Sequence, residues 1–159
     1  MQNRDVKLLK LDPMDLLAVS HTGPYMKIGD AFYTLAQWLG ERKVRTSGSR
    51  LVGIYYDDPN SVEESKLRSK AAVQLVHDRD VQVVAPVEKF QLRGGEHAMV
   101  LHSGPYQGLQ QAWMWLYNDG LKQLGRNADF SVPSFEVYLN TPDEVAPDDL
   151  KTELYIPLA

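Results

Sequence analysis

His21-Thr22-Gly23-Pro24-Tyr25 returns as His102-Ser103-Gly104-Pro105-Tyr106, 81 residues later, and this repetition governs how the rest of the chain is read. An apolar strand leads into each copy, Leu16 to Val19 in the first and Ala98 to Leu101 in the second. A helical pattern leaves each copy. Ile28, Phe32, Leu35 and Leu39 keep the spacing i, i+4, i+7, i+11, and Leu109, Trp113, Leu116 and Gly120 repeat it. The glycine permits a tight turn, and the proline stops the incoming strand. Downstream, Leu51 to Tyr56 pairs with Ala71 to Val76, and Ser134 to Asn140 with Thr152 to Leu158. Asp57-Asp58-Pro59 and Thr141-Pro142-Asp143 open the two loops, at an offset near 83. With earlier strands at Val6 to Leu11 and Val87 to Leu92, each half reads β-β-α-β-β. The expected fold is therefore α+β: an internally duplicated single domain over residues 1–159, with halves at about 1–80 and 81–159 joined near Val81 to Pro86. It should hold about eight antiparallel strands, two main helices and a central cleft.

Composition narrows the function. Of 159 residues, 43% are hydrophobic, enough for a packed core, and no apolar run reaches the length of a membrane span. Met1-Gln2-Asn3-Arg4-Asp5 lacks the apolar stretch of a secretion signal. Cysteine is absent, which removes disulfides, thiolate nucleophiles and thiolate metal sites together, and a cytoplasmic location is the default expectation. The formal charge is −4, and Arg42-Lys43-Val44-Arg45 is the one local basic cluster, placed where a helix should end. Direct nucleic-acid binding, which needs a basic face to neutralise phosphates, is not expected.

The repeats differ at an informative place. On Ser134 to Asn140, alternation sets Phe135, Val137 and Leu139 on one face, matched by Leu154, Ile156 and Leu158 on the partner strand. Those rows are expected to pack on the helix. The opposite face carries Glu136 and Tyr138, with Glu153 and Tyr155. In the first half the same face offers Gly53, Tyr55, Ala72 and Gln74, so Glu136 matches Gly53 and Tyr155 matches Ala72. The fold is thus built once without a carboxylate or second ring at those positions. Two sheets facing across a pseudo-two-fold would then enclose a cleft with room on one wall and chemistry on the other. A glutamate alternating with Phe and Val is also the ordinary mark of a solvated strand face. Trp113, at the helical position of Phe32, fits a core residue and a pocket wall equally well, and Trp38 and Trp115 lie off the main apolar stripes.

Tyr55-Tyr56-Asp57-Asp58-Pro59, Lys66-Leu67-Arg68, Phe135-Glu136-Val137-Tyr138-Leu139-Asn140 and Glu153-Leu154-Tyr155-Ile156-Pro157-Leu158 together resemble the GyrI-like family in order and spacing, over nearly the whole chain. This family includes a DNA gyrase inhibitory protein and the effector-binding domains of transcription regulators. The resemblance implies an SHS2-type repeat and places the family's strand glutamate at Glu136, at the bottom of an aromatic pocket for cationic or amphipathic compounds. Burial would push that carboxyl's pKa upward. The implied ligand-binding residues are Glu136, Tyr138, Tyr155, Tyr55, Trp113, Tyr106 and Tyr25. Lys70 departs from the acidic residue common in relatives, and the regulators' helix-turn-helix is not expected here.

Three functions follow from the resemblance. The first is a stand-alone small-molecule binder that sequesters toxic lipophilic compounds. The second is a hydrolase of cyclopropanoid electrophiles, with Glu136 as general base or acid and Tyr138 or Tyr155 orienting water. The third is inhibition of DNA gyrase by protein contact, for which the acidic loop Asp143 to Asp149 is a candidate surface. No cofactor, metal or membrane partner is expected. Ser20-His21 and His102-Ser103 are neighbours whose side chains point apart on a strand, and Glu96-His97 reads as a hairpin turn without metal-ligand spacing.

Overall fold

The repeated turn behaves alike in both copies. Gly23 and Gly104 adopt φ of 127° and 129°, a region that side chains rarely enter. Each amide then bonds the carbonyl of a later loop, Leu67 and Leu150, at 2.8 Å in both cases. His21 and His102 complete the turns. Their Nε2 atoms meet the carbonyls of Pro24 and Pro105 at 3.3 and 3.0 Å. A carbonyl only accepts, so Nε2 carries the proton, and the Nδ1 of His102 is left to accept from Arg4 at 3.3 Å. These histidines are parts of the turn.

A computed structural model describes residues 4–159, so Met1, Gln2 and Asn3 of the N-terminal stretch read above lie outside the described residues. The strands are β1 (Lys7–Leu11), β2 (Met14–Thr22), β3 (Arg50–Tyr55), β4 (Arg68–Gln74), β5 (Val87–Leu92), β6 (Gly95–Ser103), β7 (Ser134–Tyr138) and β8 (Lys151–Pro157). The expected α+β architecture of eight antiparallel strands and two main helices is present. Among the described residues no helix is long and apolar enough to cross a membrane.

The chain forms two compact units, and their boundaries differ from the sequence halves. One unit is Pro13–Leu92; the other is the chain up to Asp12 together with Arg93–Ala159. The reason is an exchange of first strands. β1 pairs with β6, as in Leu9 opposite His97, and β5 pairs with β2, as in Leu16 opposite Phe90. Each unit therefore keeps four strands and a helix, but takes its outer strand from the neighbouring stretch of sequence. Pro13–Leu92 runs β3-β4-β2-β5, and the second unit runs β1-β6-β8-β7.

In Pro13–Leu92, α1 (Gly29–Glu41) lays Ala31, Leu35, Trp38 and Leu39 on Leu17, Val19, Ala71 and Val73. Trp38, expected off the main apolar stripe, belongs to this core, because the inner stripe of α1 is wide enough to include it. In the second unit, α2 (Leu109–Trp115) runs through a π-turn (Leu116–Gly120) into α3 (Leu121–Leu124). Ala112, Leu116 and Leu121 cover Ala98, Val100, Leu154 and Ile156. The π-turn gives this helix an extra residue, in the segment across which the repeat offset grows from 81 to 83. Gly120 is closely packed there: a Cβ would meet Leu116 Cδ1 at 2.9 Å and the Trp115 ring at 3.2 Å.

His97 is not in a turn but within β6, fully buried, at the place where the first half carries Leu16. Its Nδ1 lies 2.8 Å from the Gly95 carbonyl, while Nε2 is buried with no hydrogen-bond partner, and the Phe135 and Tyr155 rings stand 5.7 and 6.3 Å away. Burial holds its pKa below the ordinary 6.5, so the folded ring stays neutral while the unfolded chain takes up the proton first. Stability should be full above pH 6.5 and drain as pH falls below it, by up to about 1.4 kcal/mol per unit until the folded ring protonates. Urea melts across pH 7.5 to 5 on the parent and on His97→Leu check this; an equal acid slope in both would remove His97 as the cause.

Candidate functional site

Pairing between β7 and β8 determines which side chains meet. Phe135 lies opposite Tyr155, Glu136 opposite Leu154, Val137 opposite Glu153 and Tyr138 opposite Thr152. Leu154 and Ile156 do pack on the helix, but the residues of β7 on that side are Glu136 and Tyr138. Phe135 and Val137, expected there, share the other face with Tyr155. Both faces are buried, since Phe135, Glu136 and Val137 are all nearly inaccessible. Polarity therefore could not label the helix side. The matches across the duplication stand nonetheless: Gly53 lies opposite Ala71 as Glu136 does opposite Leu154, each pair 83 residues from its counterpart.

Glu136 is only 4% exposed. Above it on α2, Trp113 donates its Nε1 hydrogen to Oε2 at 2.6 Å, and Tyr138 donates its hydroxyl to Oε1 at 2.7 Å. Each oxygen thus has a neutral donor. Hydrogen bonds to a charged group are worth about 1.5–3 kcal/mol each, which offsets much of the cost of taking a carboxylate out of water. Tyr106 completes the group, its ring 5.8 Å from that of Tyr138 and edge-on to it. Its phenol is raised above the ordinary value of 10, first by burial and then by the negative charge of Glu136.

Four of the seven residues singled out from the sequence therefore form one cluster: Glu136, Trp113, Tyr138 and Tyr106. Trp113 packs on the core and also bonds the carboxylate. The structure sets Tyr155 elsewhere, stacked on Phe135 at 4.8 Å and bonded through its hydroxyl to Glu153 at 3.0 Å, on the face away from Glu136. Tyr25 and Tyr55 form their own edge-on pair at 4.8 Å in the other unit. That pair is the counterpart of Tyr106 and Tyr138. The Tyr25 hydroxyl donates to the Asp57 carbonyl at 2.7 Å and accepts from the Asp57 amide at 2.9 Å, which braces the loop.

The two tyrosine pairs show what the duplication shares. So do Ser69 and Thr152, matching buried hydroxyls that both lack a partner. Trp113 and Glu136 stand instead where the first half has Phe32 and Gly53. The carboxylate and its indole donor are what one half adds to a common frame. The sequence survey did not select Tyr117, whose ring lies 5.9 Å from Trp113; its position four residues after Trp113 was the available signal.

Comparison with known proteins bears on the family and the fold. The model of the GyrI-like small molecule binding domain matches residues 4–159. A DNA gyrase inhibitor of Citrobacter koseri is 24% identical over 156 residues, 97% of each chain. Among solved structures, EcmrR in its complex with DNA superposes with a TM-score of 0.78 at 12% identity, covering 98% of this chain and 57% of that one. SAV2435 bound to tetraphenylphosphonium gives 0.62 at 16% identity, covering 98% and 94%. At these identities the solved structures speak for the fold alone.

A test of the carboxylate's anchorage uses coupling rather than single losses. Trp113→Phe should cost about 1–3 kcal/mol of unfolding free energy in the parent, and at least about 1 kcal/mol less in a Glu136→Ala background. Urea denaturation of the four proteins measures it; strict additivity would mean the indole contributes packing and nothing more.

Proposed function

The chain belongs to the GyrI-like small-molecule-binding family, and from that premise we propose that it binds lipophilic cations with Glu136 as the group that reads their charge. The observation that carries this reading is a carboxylate removed from water and held by two neutral donors, Trp113 and Tyr138. Neutral donors orient the charge without cancelling it, and in a poorly solvated site that charge attracts a cation more strongly than in water. Three rings stand in the same group. A cation against an aromatic face gains about 0.5–2 kcal/mol, least where water reaches it and most where it does not. Neither contribution demands a fixed ligand shape, which suits a protein that sequesters varied toxic compounds. Tyr106, about a third exposed, provides the side from which a ligand enters.

Tetraphenylphosphonium is a suitable probe, because SAV2435 holds it within the same fold. Calorimetric titration should give saturable binding that Glu136→Gln weakens at least about tenfold, with the variant's melting temperature retained. An unchanged affinity in Glu136→Gln would sink the cation reading. Titration with a cyclopropanoid electrophile, followed by product analysis, adds the chemical question. Turnover lost in Glu136→Gln would make the same carboxylate a general base, with the Tyr138 hydroxyl beside it.

Gyrase inhibition is the second reading, favoured by the name of the Citrobacter relatives at 24% identity. It predicts that the protein blocks DNA supercoiling by gyrase at micromolar concentration, in parent and Glu136→Gln alike if the contact is made by the exposed loop around Asp143 and Glu144. Full supercoiling at those concentrations would remove it.

A further inference from the structure

We propose that Tyr117 and Phe130 form a second aromatic subsite that continues the Glu136 site to the surface and selects cations carrying an extended flat ring system. The proposal rests on the reading of Glu136 as the cation's partner. Its basis is a run of rings: the Trp113 indole, bonded to Glu136, lies 5.9 Å from the Tyr117 ring at 30°, and Tyr117 stacks on Phe130 at 6.3 Å and 10°. A near-parallel series of this kind is extended when a fused aromatic ligand lies on the exposed face of its last ring, Phe130. Phe130 ends the run with 83% of its surface exposed.

An exposed phenylalanine often means a loose loop, but the neighbours of Phe130 are pinned. Ala128 bridges to Leu158, and the Asp129 amide bonds the Pro157 carbonyl at 2.8 Å. The Asp129 carboxylate pairs with Arg93 at 3.1 Å and accepts from the Ser131 amide at 3.0 Å. These bonds hold its pKa below the ordinary carboxylate value, the Ser131 contacts contributing most. The backbone thus fixes Phe130 where burial gives its ring little, and leaves it available to a ligand.

The duplication points the same way. In the first half, Ala36 occupies the place of Tyr117. The two added residues of the second half fall between Tyr106 and Ser134, the stretch that carries the π-turn, Tyr117 and Phe130. The ring series and the carboxylate belong to the same half. Such a subsite contributes shape preference, whereas Glu136 contributes charge preference.

The experiment compares two probes of equal charge, compact tetraphenylphosphonium and flat N-methylacridinium, by calorimetric titration of the full chain. Phe130→Ala and Tyr117→Ala should each weaken N-methylacridinium about fivefold while changing tetraphenylphosphonium by less than about twofold. Phe130→Trp should retain the flat probe's affinity, and Glu136→Gln should weaken both probes. Because Phe130 is exposed, its variants should keep the parent melting temperature, so the proposal stands testable even if Tyr117→Ala unfolds. Equal effects of Phe130→Ala on both probes, or none on either while Glu136→Gln still weakens both, would overturn the subsite and leave the carboxylate site intact. Loss of neither probe in Glu136→Gln, or no binding of either by the parent, would overturn the underlying reading and this proposal with it.

Discussion

A carboxylate moved from water into a protein interior loses hydration worth several kcal/mol, and only donors placed beforehand can replace it. For Glu136 those donors are the Trp113 indole and the Tyr138 hydroxyl. Much of the second unit is organised to deliver them. Tyr138 must share a face with Glu136, which strand alternation ensures. Trp113 must come from the helix above, so β7 has to present Glu136 toward α2, and the pairing with β8 does this by setting Glu136 beside Leu154. A one-residue slip in that register would turn Glu136 to the other face and bring Phe135 under the helix. The buried carboxylate and the register therefore depend on each other.

Internal duplication provides a built-in comparison. Both halves keep the glycine turn, the histidine that caps it, an edge-on tyrosine pair and a buried hydroxyl beside the second tyrosine. One half stops there, with Phe32 and Gly53. The other replaces them with Trp113 and Glu136, and lengthens the helix through a π-turn. The buried carboxylate and its indole donor thus belong to one half only. His97 shows the same asymmetry elsewhere, as a polar ring buried where its counterpart is Leu16.

The sequence by itself determined the duplicated β-β-α-β-β order, the matched turns, and the position at which one half has an acid where the other has none. These are local matters, because turn chemistry, strand alternation and helical spacing involve residues close along the chain. It also directed attention to Trp113, Tyr138 and Tyr106. Tertiary structure alone decided the exchange of β1 and β5 between units, since equivalent strands carry equivalent patterns and either pairing satisfies them. It alone decided that Glu136, rather than Phe135, lies under the helix, because with both faces buried polarity ceases to indicate direction. It separated Tyr155 from Glu136 by the same register, and it joined Tyr117 to Phe130 across a turn that sequence spacing does not measure. Neighbours along a chain can be read from its pattern; neighbours across a fold depend on which of several compatible pairings buries the most surface with its polar groups satisfied.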